Sequence, residues 1–243
     1  MDSELSSPLQ TTLRAFRYAS FKHRDQKMGD GITPYFSHVV RVTWILRDLF
    51  GVHDQDVIIA TILHDVIEDT STTETEIAAE FGPTAARYVG LLTKDESLPK
   101  KQREREYDEK LKNAPEIVKV AKLADIYDNL CARIGTPKLA STLANARRIT
   151  EAFSRTMAGA RGLQALAHVQ GLIAEIEALP PRRPVSRGRP RLRPRRSVEL
   201  SRSTPAFSKE PPNDRRPEPN ASAESPNGAR SWLERFARRV AGG

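Results

Sequence analysis

The sequence predicts an all-α protein, a bundle of about eight or nine helices followed by a basic C-terminal tail. Apolar residues recur at helical spacing through most of residues 11–179, and no alternating strand pattern of similar length competes with them. Capping residues, Pro and Gly separate these segments at the positions expected of helix boundaries. The composition then changes after residue 180, where ten of the 17 prolines lie.

The first two predicted helices span residues 11–23 and 35–50. The first is loosely amphipathic and ends in a polar turn, residues 24–33. The second has its apolar residues on one face, and Gly51 stands at its end, where glycine commonly terminates helices.

The third predicted helix carries the stretch Ile-Leu-His-Asp-Val-Ile-Glu-Asp-Thr, residues 62–70. On a continuous helix His64 lies above Glu68, and Asp65 lies above Asp69. The flanking apolar residues place these groups at the edge of a core. Burying three carboxylates beside one imidazole there costs several kcal/mol unless a cation or hydrogen bonds compensate. A metal ion is the simplest compensation, and a solvated acidic helix face is the alternative.

The other helices are predicted from their boundary signals. Asp54 or Asp56 can cap the third helix, and Gly82 followed by Pro83 interrupts the chain. In chain order, a short helix ends at Phe81 and another spans residues 85–92. Residues 94–111 form a highly charged segment. Pro115 then starts a helix that bears Asp125, and two long helices, 137–160 and 162–179, follow it.

Two further segments supply groups of the same chemical type. His38 begins the second helix, and Asp125 is followed four residues later, on the same helix face, by Asn129. Two neutral imidazoles and two carboxylates suit a divalent ion such as Mn, Fe or Zn, whereas a site of oxygen ligands alone suits Mg or Ca.

The order His…His-Asp…Asp on three apolar helices resembles the HD-domain metal phosphohydrolases. A longer match, His-Asp-x-x-Glu-Asp-Thr with Lys-Leu-Ala-Asp-x-x-x-Asn, is similar to the small, hydrolase-only members of the RelA/SpoT-type alarmone hydrolases. The resemblance covers roughly residues 11–140. It implies hydrolysis of guanosine 3′-diphosphate 5′-di- or triphosphate to GDP or GTP and pyrophosphate.

The resemblance also implies a role for each site residue. The implied ligands of the metal, Mn²⁺, are His38, His64, Asp65 and Asp125. Glu68 and Asp69 match the acidic pair that orients or deprotonates the attacking water. Asn129 matches a residue that hydrogen-bonds near the metal or the nucleotide. Arg24 and Lys27 lie in a turn that resembles the family's phosphate-contacting turn.

Departures from the family pattern concern the substrate contacts. Where the turn usually continues with Arg and Lys, this chain has Lys27-Met28-Gly29, and Cys131 replaces a basic residue that is frequent after the Asn. Val39 also stands where Pro is common. These departures leave the metal site intact but weaken the phosphate clamp. Two alternatives therefore stay open: an HD-type reaction on another nucleotide such as NADP(H), and a non-catalytic nucleotide-sensing protein.

The chain's net charge of +8 comes from its C-terminal part. Residues 1–180 contain 23 Lys and Arg against 25 Asp and Glu, whereas residues 181–243 contain 16 against 6. We expect a flexible N-terminus over 1–10, an HD domain over 11–179, a disordered basic linker over 180–228 and a short amphipathic helix over 229–243. The tail is expected to contact nucleic acid or an anionic membrane, or to act only as a solubilising segment.

The expected location is the cytoplasm. The only cysteine, Cys131, allows no disulfide within the chain, and it is expected to be a small core residue and not a nucleophile. No signal-peptide pattern opens the sequence, and no run approaches the roughly 18 apolar residues of a membrane span, so we expect a soluble protein. No feature of the sequence predicts an oligomeric state.

Overall fold

The computed structural model of this chain describes residues 7–179, which fold into helices joined by short turns. The α-helices are α1 (Pro8–Lys22), α2 (Phe36–Trp44), α3 (Gln55–Ile62), α4 (Val66–Asp69), α5 (Glu74–Phe81), α6 (Pro83–Leu92), α7 (Lys100–Asn113), α8 (Glu116–Arg133), α9 (Leu139–Ser154) and α10 (Ala160–Glu177). A π-helical turn, Ile45–Leu49, continues α2. The prediction of an all-α fold is confirmed. The predicted linker, 180–228, and the predicted terminal helix, 229–243, lie outside the described residues.

Side-chain capping marks the starts of α1, α3 and α5. Ser7 and Gln10 form a capping box around the start of α1, so this helix begins three residues before the predicted boundary. Asp54 caps α3 by accepting a hydrogen bond from the Val57 amide at 3.0 Å. Between residues 7 and 179, the β-type pairing consists of one isolated antiparallel bridge, Lys27 to Pro34. No helix in this part of the chain is long and apolar enough to cross a membrane.

The prediction of one continuous helix through His64 and Asp69 is wrong. Helix α3 ends at Ile62, residues 63–65 form a turn, and α4 is a single helical turn. The Thr61 carbonyl, which would accept the Asp65 amide in a continuous helix, instead faces His64 Nδ1 at 2.8 Å. The imidazole therefore replaces a helical hydrogen bond at the point where the chain turns.

Helix α8 is the centre of the bundle. It packs against α2, α3, α6, α9 and α10, and ten of its 18 residues are buried. Two of these buried residues, Asp125 and Asp128, carry carboxylates that need polar or cationic partners away from water. The candidate functional site therefore lies on the side of α8 that packs against α2 and α3.

Candidate functional site

The four predicted metal ligands converge from three parts of the chain. His38 comes from α2, His64 and Asp65 from the turn after α3, and Asp125 from α8. The two Nε2 atoms of His38 and His64 lie 3.3 Å apart. Asp65 Oδ2 is 2.8 Å from His64 Nε2, and Asp125 Oδ1 is 3.3 Å from His38 Nε2. We call these four residues the His/Asp cluster.

Hydrogen bonds fix the orientation of both imidazoles. His38 Nδ1 lies 2.6 Å from Asp128 Oδ2, and His64 Nδ1 lies 2.8 Å from the Thr61 carbonyl. Both partners are acceptors, which assigns the ring hydrogen to Nδ1 in each case. Both Nε2 atoms face each other and the carboxylates, and each can accept either a metal ion or a proton there.

This arrangement fits a divalent metal ion. Two nitrogens about 2.1 Å from one ion, at angles of 90–110°, lie about 3.0–3.4 Å apart, and the observed separation of 3.3 Å falls in this range. Ligand atoms of His38, His64 and Asp65 all lie within 4.8 Å of one another. The His/Asp cluster can therefore bind a metal, with Asp125 Oδ1 at 3.7 Å from His64 Nε2 as a further donor.

The electrostatics of the His/Asp cluster favour a cation. Burial lowers the pKa of His38, but hydrogen bonds to Asp125 and Asp128 outweigh it and raise the pKa to about 10. Burial opposes ionisation of Asp125, yet Lys122, His38 and His64 hold the pKa of its carboxyl well below the usual range. The cluster therefore stays rich in carboxylates, and either a proton or a metal ion can occupy it.

A supporting layer around the His/Asp cluster was missed by sequence reasoning. Arg41 pairs with Asp128 through two contacts, Nε to Oδ1 at 2.6 Å and Nη2 to Oδ2 at 3.0 Å. The Tyr35 hydroxyl donates to Asp65 Oδ2. The available signal was Asp128 itself, a second carboxylate one turn after Asp125 on a largely buried helix. Its partner Arg41 is 87 residues away in sequence, and no local pattern pairs the two.

The Asp125 carboxylate is held by two further residues of α8. Asn129 Nδ2 donates to Oδ1 at 2.6 Å, and Lys122 Nζ donates to Oδ2 at 2.7 Å. The structure thus brings Asn129 to the His/Asp cluster, and Lys122 is a contact that sequence reasoning did not single out.

The two residues of the predicted acidic pair differ in burial, since Glu68 is half-buried and Asp69 is exposed. Glu68 lines the cavity beside Asp65, and its Oε2 accepts a hydrogen bond from the Lys94 amide at 3.1 Å. Burial raises the pKa of Glu68. Asp69 is exposed as a residue, but partial burial of its carboxyl group and the charges of Asp65 and Glu68 raise its pKa to about 6.

A cavity of about 330 Å³ opens beside the His/Asp cluster. Its polar and charged lining residues are Tyr35, Asp65, Glu68, Lys94, Lys122, Asp125, Asn129, Arg133, Lys138, Ser141, Thr142 and Asn145. A larger groove, of about 800 Å³, runs between α7 and α9, but it contains none of the metal-ligand candidates. The chemistry belongs to the smaller cavity because Asp65 and Asp125 of the His/Asp cluster line it.

Two predicted substrate contacts are not brought to this cavity. The Arg24 guanidinium lies over the Phe21 ring, 4.5 Å from its centroid, and Lys27 lies in the bridge with Pro34. Neither lines the cavity, so their contact with substrate stays a prediction. Cys131 is half-buried and is not one of the core residues that the sequence predicted it to join. Burial raises the pKa of its thiol to about 12, which fits the expectation that it is not a nucleophile.

Comparison with known proteins identifies the family. Residues 15–166 match the HD domain family. The chain belongs to this family. The zebrafish (Danio rerio) guanosine-3′,5′-bis(diphosphate) 3′-pyrophosphohydrolase MESH1 is 39% identical over 158 residues, which cover 63% of this chain and 86% of the relative. The Drosophila melanogaster protein of the same name is 38% identical over 124 residues, 51% of this chain and 69% of the relative.

A solved structure agrees with this assignment. The structure of a metazoan ortholog of SpoT that hydrolyses ppGpp aligns with a TM-score of 0.58 and 30% identity, covering 69% of this chain and 99% of that chain. The resemblance to hydrolase-only RelA/SpoT-type proteins is confirmed. In this HD domain protein the signature His64-Asp65 stands at the turn between α3 and α4.

Proposed function

We propose that this HD domain protein hydrolyses guanosine 3′-diphosphate 5′-diphosphate, or the 5′-triphosphate, to GDP or GTP and pyrophosphate. The observation that carries the proposal is the His/Asp cluster, which opens into a cavity that has Glu68 on its wall. The names of the two MESH1 relatives state the same reaction.

The proposed cofactor is Mn²⁺, with His38, His64, Asp65 and Asp125 as ligands. Two imidazole nitrogens with two carboxylates suit Mn, Fe or Zn better than Mg or Ca. When bound, such an ion acts as a Lewis acid toward a phosphoryl oxygen and lowers the pKa of a water molecule.

Glu68 is the proposed general base, with Asp69 assisting it. Burial raises the Glu68 pKa, which makes its carboxylate a stronger proton acceptor than an ordinary surface Glu, while the Lys94 amide fixes one of its oxygens. The water oxygen attacks the phosphorus next to the ribose 3′ oxygen, and the bond between that phosphorus and the 3′ oxygen breaks. The ribose oxygen takes up a proton, and pyrophosphate leaves intact.

Cationic side chains balance the charge of the nucleotide. Lys122 and Lys94 line the same cavity as Asp125 and Glu68. Their positive charges oppose the repulsion between a polyphosphate and the site carboxylates. Asn129, held against Asp125 Oδ1, is proposed to orient this ligand and to contact the nucleotide.

Product analysis tests the reaction. Purified chain with Mn²⁺ should convert guanosine tetraphosphate into GDP and pyrophosphate in equal amounts, and excess chelator should stop the reaction. Replacing Mn²⁺ by Zn²⁺, Fe²⁺ or Mg²⁺ ranks the metals. Release of two single phosphates, or hydrolysis of NADPH with none of the alarmone, would contradict the proposal and favour another phosphohydrolase reaction.

We propose a separate role for the C-terminal tail. Residues 182–196 contain eight arginines, and such a run attracts nucleic acid or an anionic membrane. Co-sedimentation of the full chain with RNA and with anionic vesicles tests this. A chain ending at Leu179 should lose whichever contact is found, and retention by that shorter chain would place the contact in the HD domain.

A further inference from the structure

Two of the four cationic residues that line the cavity have no carboxylate partner within residues 7–179. Lys94 Nζ lies 3.5 Å from Glu104 Oε1, and Lys122 Nζ lies 2.7 Å from Asp125 Oδ2. The other two cationic residues that line the cavity are Arg133 and Lys138, which we call the rim pair. Within residues 7–179, neither side chain of the rim pair forms an ion pair or donates a hydrogen bond to another residue.

Arg133 of the rim pair lies at a distance from the His/Asp cluster. Asp125, Asn129 and Arg133 follow one another at four-residue intervals on one face of α8, and all three line the cavity. At 1.5 Å per residue, Asp125 and Arg133 are about 12 Å apart along the helix axis. One phosphate group cannot reach both ends, but a nucleotide with phosphates on both sides of its ribose can.

The turn between α1 and α2 makes room for the Arg133 guanidinium. A Cβ atom on Gly29 would lie 2.5 Å from Arg133 Nη1. Gly29 does not have a positive φ, so this position requires space and not an unusual backbone conformation. Arg133 is half-buried against this turn, which limits the side-chain entropy that a ligand must offset on binding.

We infer that the rim pair binds the 5′-diphosphate of the nucleotide while the 3′-diphosphate lies at the His/Asp cluster. This inference rests on the proposed function. The planar Arg133 guanidinium donates two parallel hydrogen bonds to phosphate oxygens, and the Lys138 ammonium adds a point charge. The rim pair thereby selects nucleotides that carry phosphates on both sides of the ribose over those with a free 5′ hydroxyl.

A kinetic comparison of two substrates tests this selection. The full chain with saturating Mn²⁺ is given guanosine 3′-diphosphate 5′-diphosphate and, separately, guanosine 3′-diphosphate with a free 5′ hydroxyl. Arg133→Gln should lower kcat/KM for the first substrate about 10- to 100-fold, mainly through KM, and change the second by less than about threefold. Lys138→Gln should act in the same direction with a smaller effect.

Two further variants test whether the effect depends on the position of the Arg133 guanidinium or only on the number of positive charges. Gly29→Ala keeps every charge but displaces the guanidinium, so it should reproduce part of the Arg133→Gln effect on the first substrate only. Arg155→Gln is the matched control. It removes one arginine from an exposed pair with Glu151, away from the cavity, and should leave both substrates unchanged.

A binding measurement tests the same inference without requiring hydrolysis. With Mn²⁺ and saturating inorganic pyrophosphate, wild-type protein should bind GDP at least about tenfold more tightly than guanosine, and Arg133→Gln should remove most of this margin. Equal losses of kcat/KM on both substrates would overturn the inference. So would a preference for GDP over guanosine that survives Arg133→Gln. If no substrate is hydrolysed but GDP binding depends on Arg133, the proposed reaction fails and the rim pair remains a phosphate site.

Discussion

The two ends of the cavity, marked by Asp125 and Arg133 on α8, are built in opposite ways. At the His/Asp cluster, His38 is 2% exposed and Asp125 is 7% exposed, and each is held by other side chains. At the rim, Lys138 is exposed, and within the described chain neither it nor Arg133 has a carboxylate partner. The side chains of the His/Asp cluster are held by partners within the protein, whereas the rim pair has charges with which a ligand can pair.

This contrast predicts how each end responds to substitution. Buried charges are costly when one partner is removed, because the remaining charge stays desolvated and unpaired. Changes at the His/Asp cluster should therefore be large and should affect metal, rate and stability together. Changes at the rim should be graded and weaker at high ionic strength, since its charges are screened.

The largest expected effect is at His64. His64→Ala removes one imidazole ligand and the hydrogen bond to Thr61, so we expect loss of both bound metal and measurable hydrolysis. Metal content by elemental analysis and product formation check this. His53→Ala, at an exposed histidine outside the cavity, should retain both. A His64→Ala protein that still holds one metal ion per chain would break the assignment of this ligand.

The next effect separates catalysis from metal binding. Glu68→Gln keeps the shape of the cavity wall but removes the proton acceptor, so hydrolysis should slow by ~10²–10⁴ while the metal is retained. Single-turnover rates with metal content measured on the same samples test this. Glu151→Gln, at an exposed residue of α9, serves as the control. An unchanged rate would assign the general base to another group.

A smaller effect is expected one layer away from the ligands. Asp128→Asn should weaken the His38 Nδ1 contact and lower metal affinity about 10- to 100-fold, with activity recovered at high Mn²⁺. Competition with a fluorescent chelator measures the affinity. Asp108→Asn is the control because it breaks the exposed contact with Arg148 instead. Equal affinities in both variants would show that Asp128 does not position His38.

The Asp69 carboxylate should affect stability in a pH-dependent way. Its pKa in the folded protein, about 6, is above the ordinary value of 3.8, so the folded state binds this proton more tightly than the unfolded state. The free energy of unfolding is therefore lowered as the pH rises from about 4 to 6. Asp69→Asn should raise Tm at pH 7 by no more than a few degrees, because an exposed group is screened, and leave it unchanged at pH 4.

Thermal unfolding of both proteins in chelator at the two pH values checks the sign. A lower Tm for Asp69→Asn at pH 7 would show that the ionised carboxylate is stabilising and that the repulsion from Asp65 and Glu68 is compensated elsewhere.

The smallest effect on catalysis is expected from the tail. A chain that ends at Leu179 keeps both ends of the cavity, since every lining residue lies between Tyr35 and Asn145. We expect its turnover rate to stay within a few-fold of the full chain. Initial rates at saturating substrate measure this, and a large loss would move the domain boundary beyond residue 179.

The sequence by itself determined the helical class, several helix starts and the types of ligand residue. Helical periodicity and capping are local properties, which is why Asp54 could be predicted as a cap of α3. The order His38, His64-Asp65, Asp125 also carried the family resemblance, because each residue stands beside apolar neighbours that fix it at the edge of the core.

Only the tertiary structure decided which side chains meet. At the turn 63–65 the His64 imidazole contacts the Thr61 carbonyl in place of a helical amide, and apolar periodicity does not register such a side-chain contact. The Arg41–Asp128 pair and the approach of Arg133 to Gly29 join residues about 90 and 100 positions apart. Periodicity tells which face of a helix is buried but not which helix covers it, and packing of the whole bundle makes that choice.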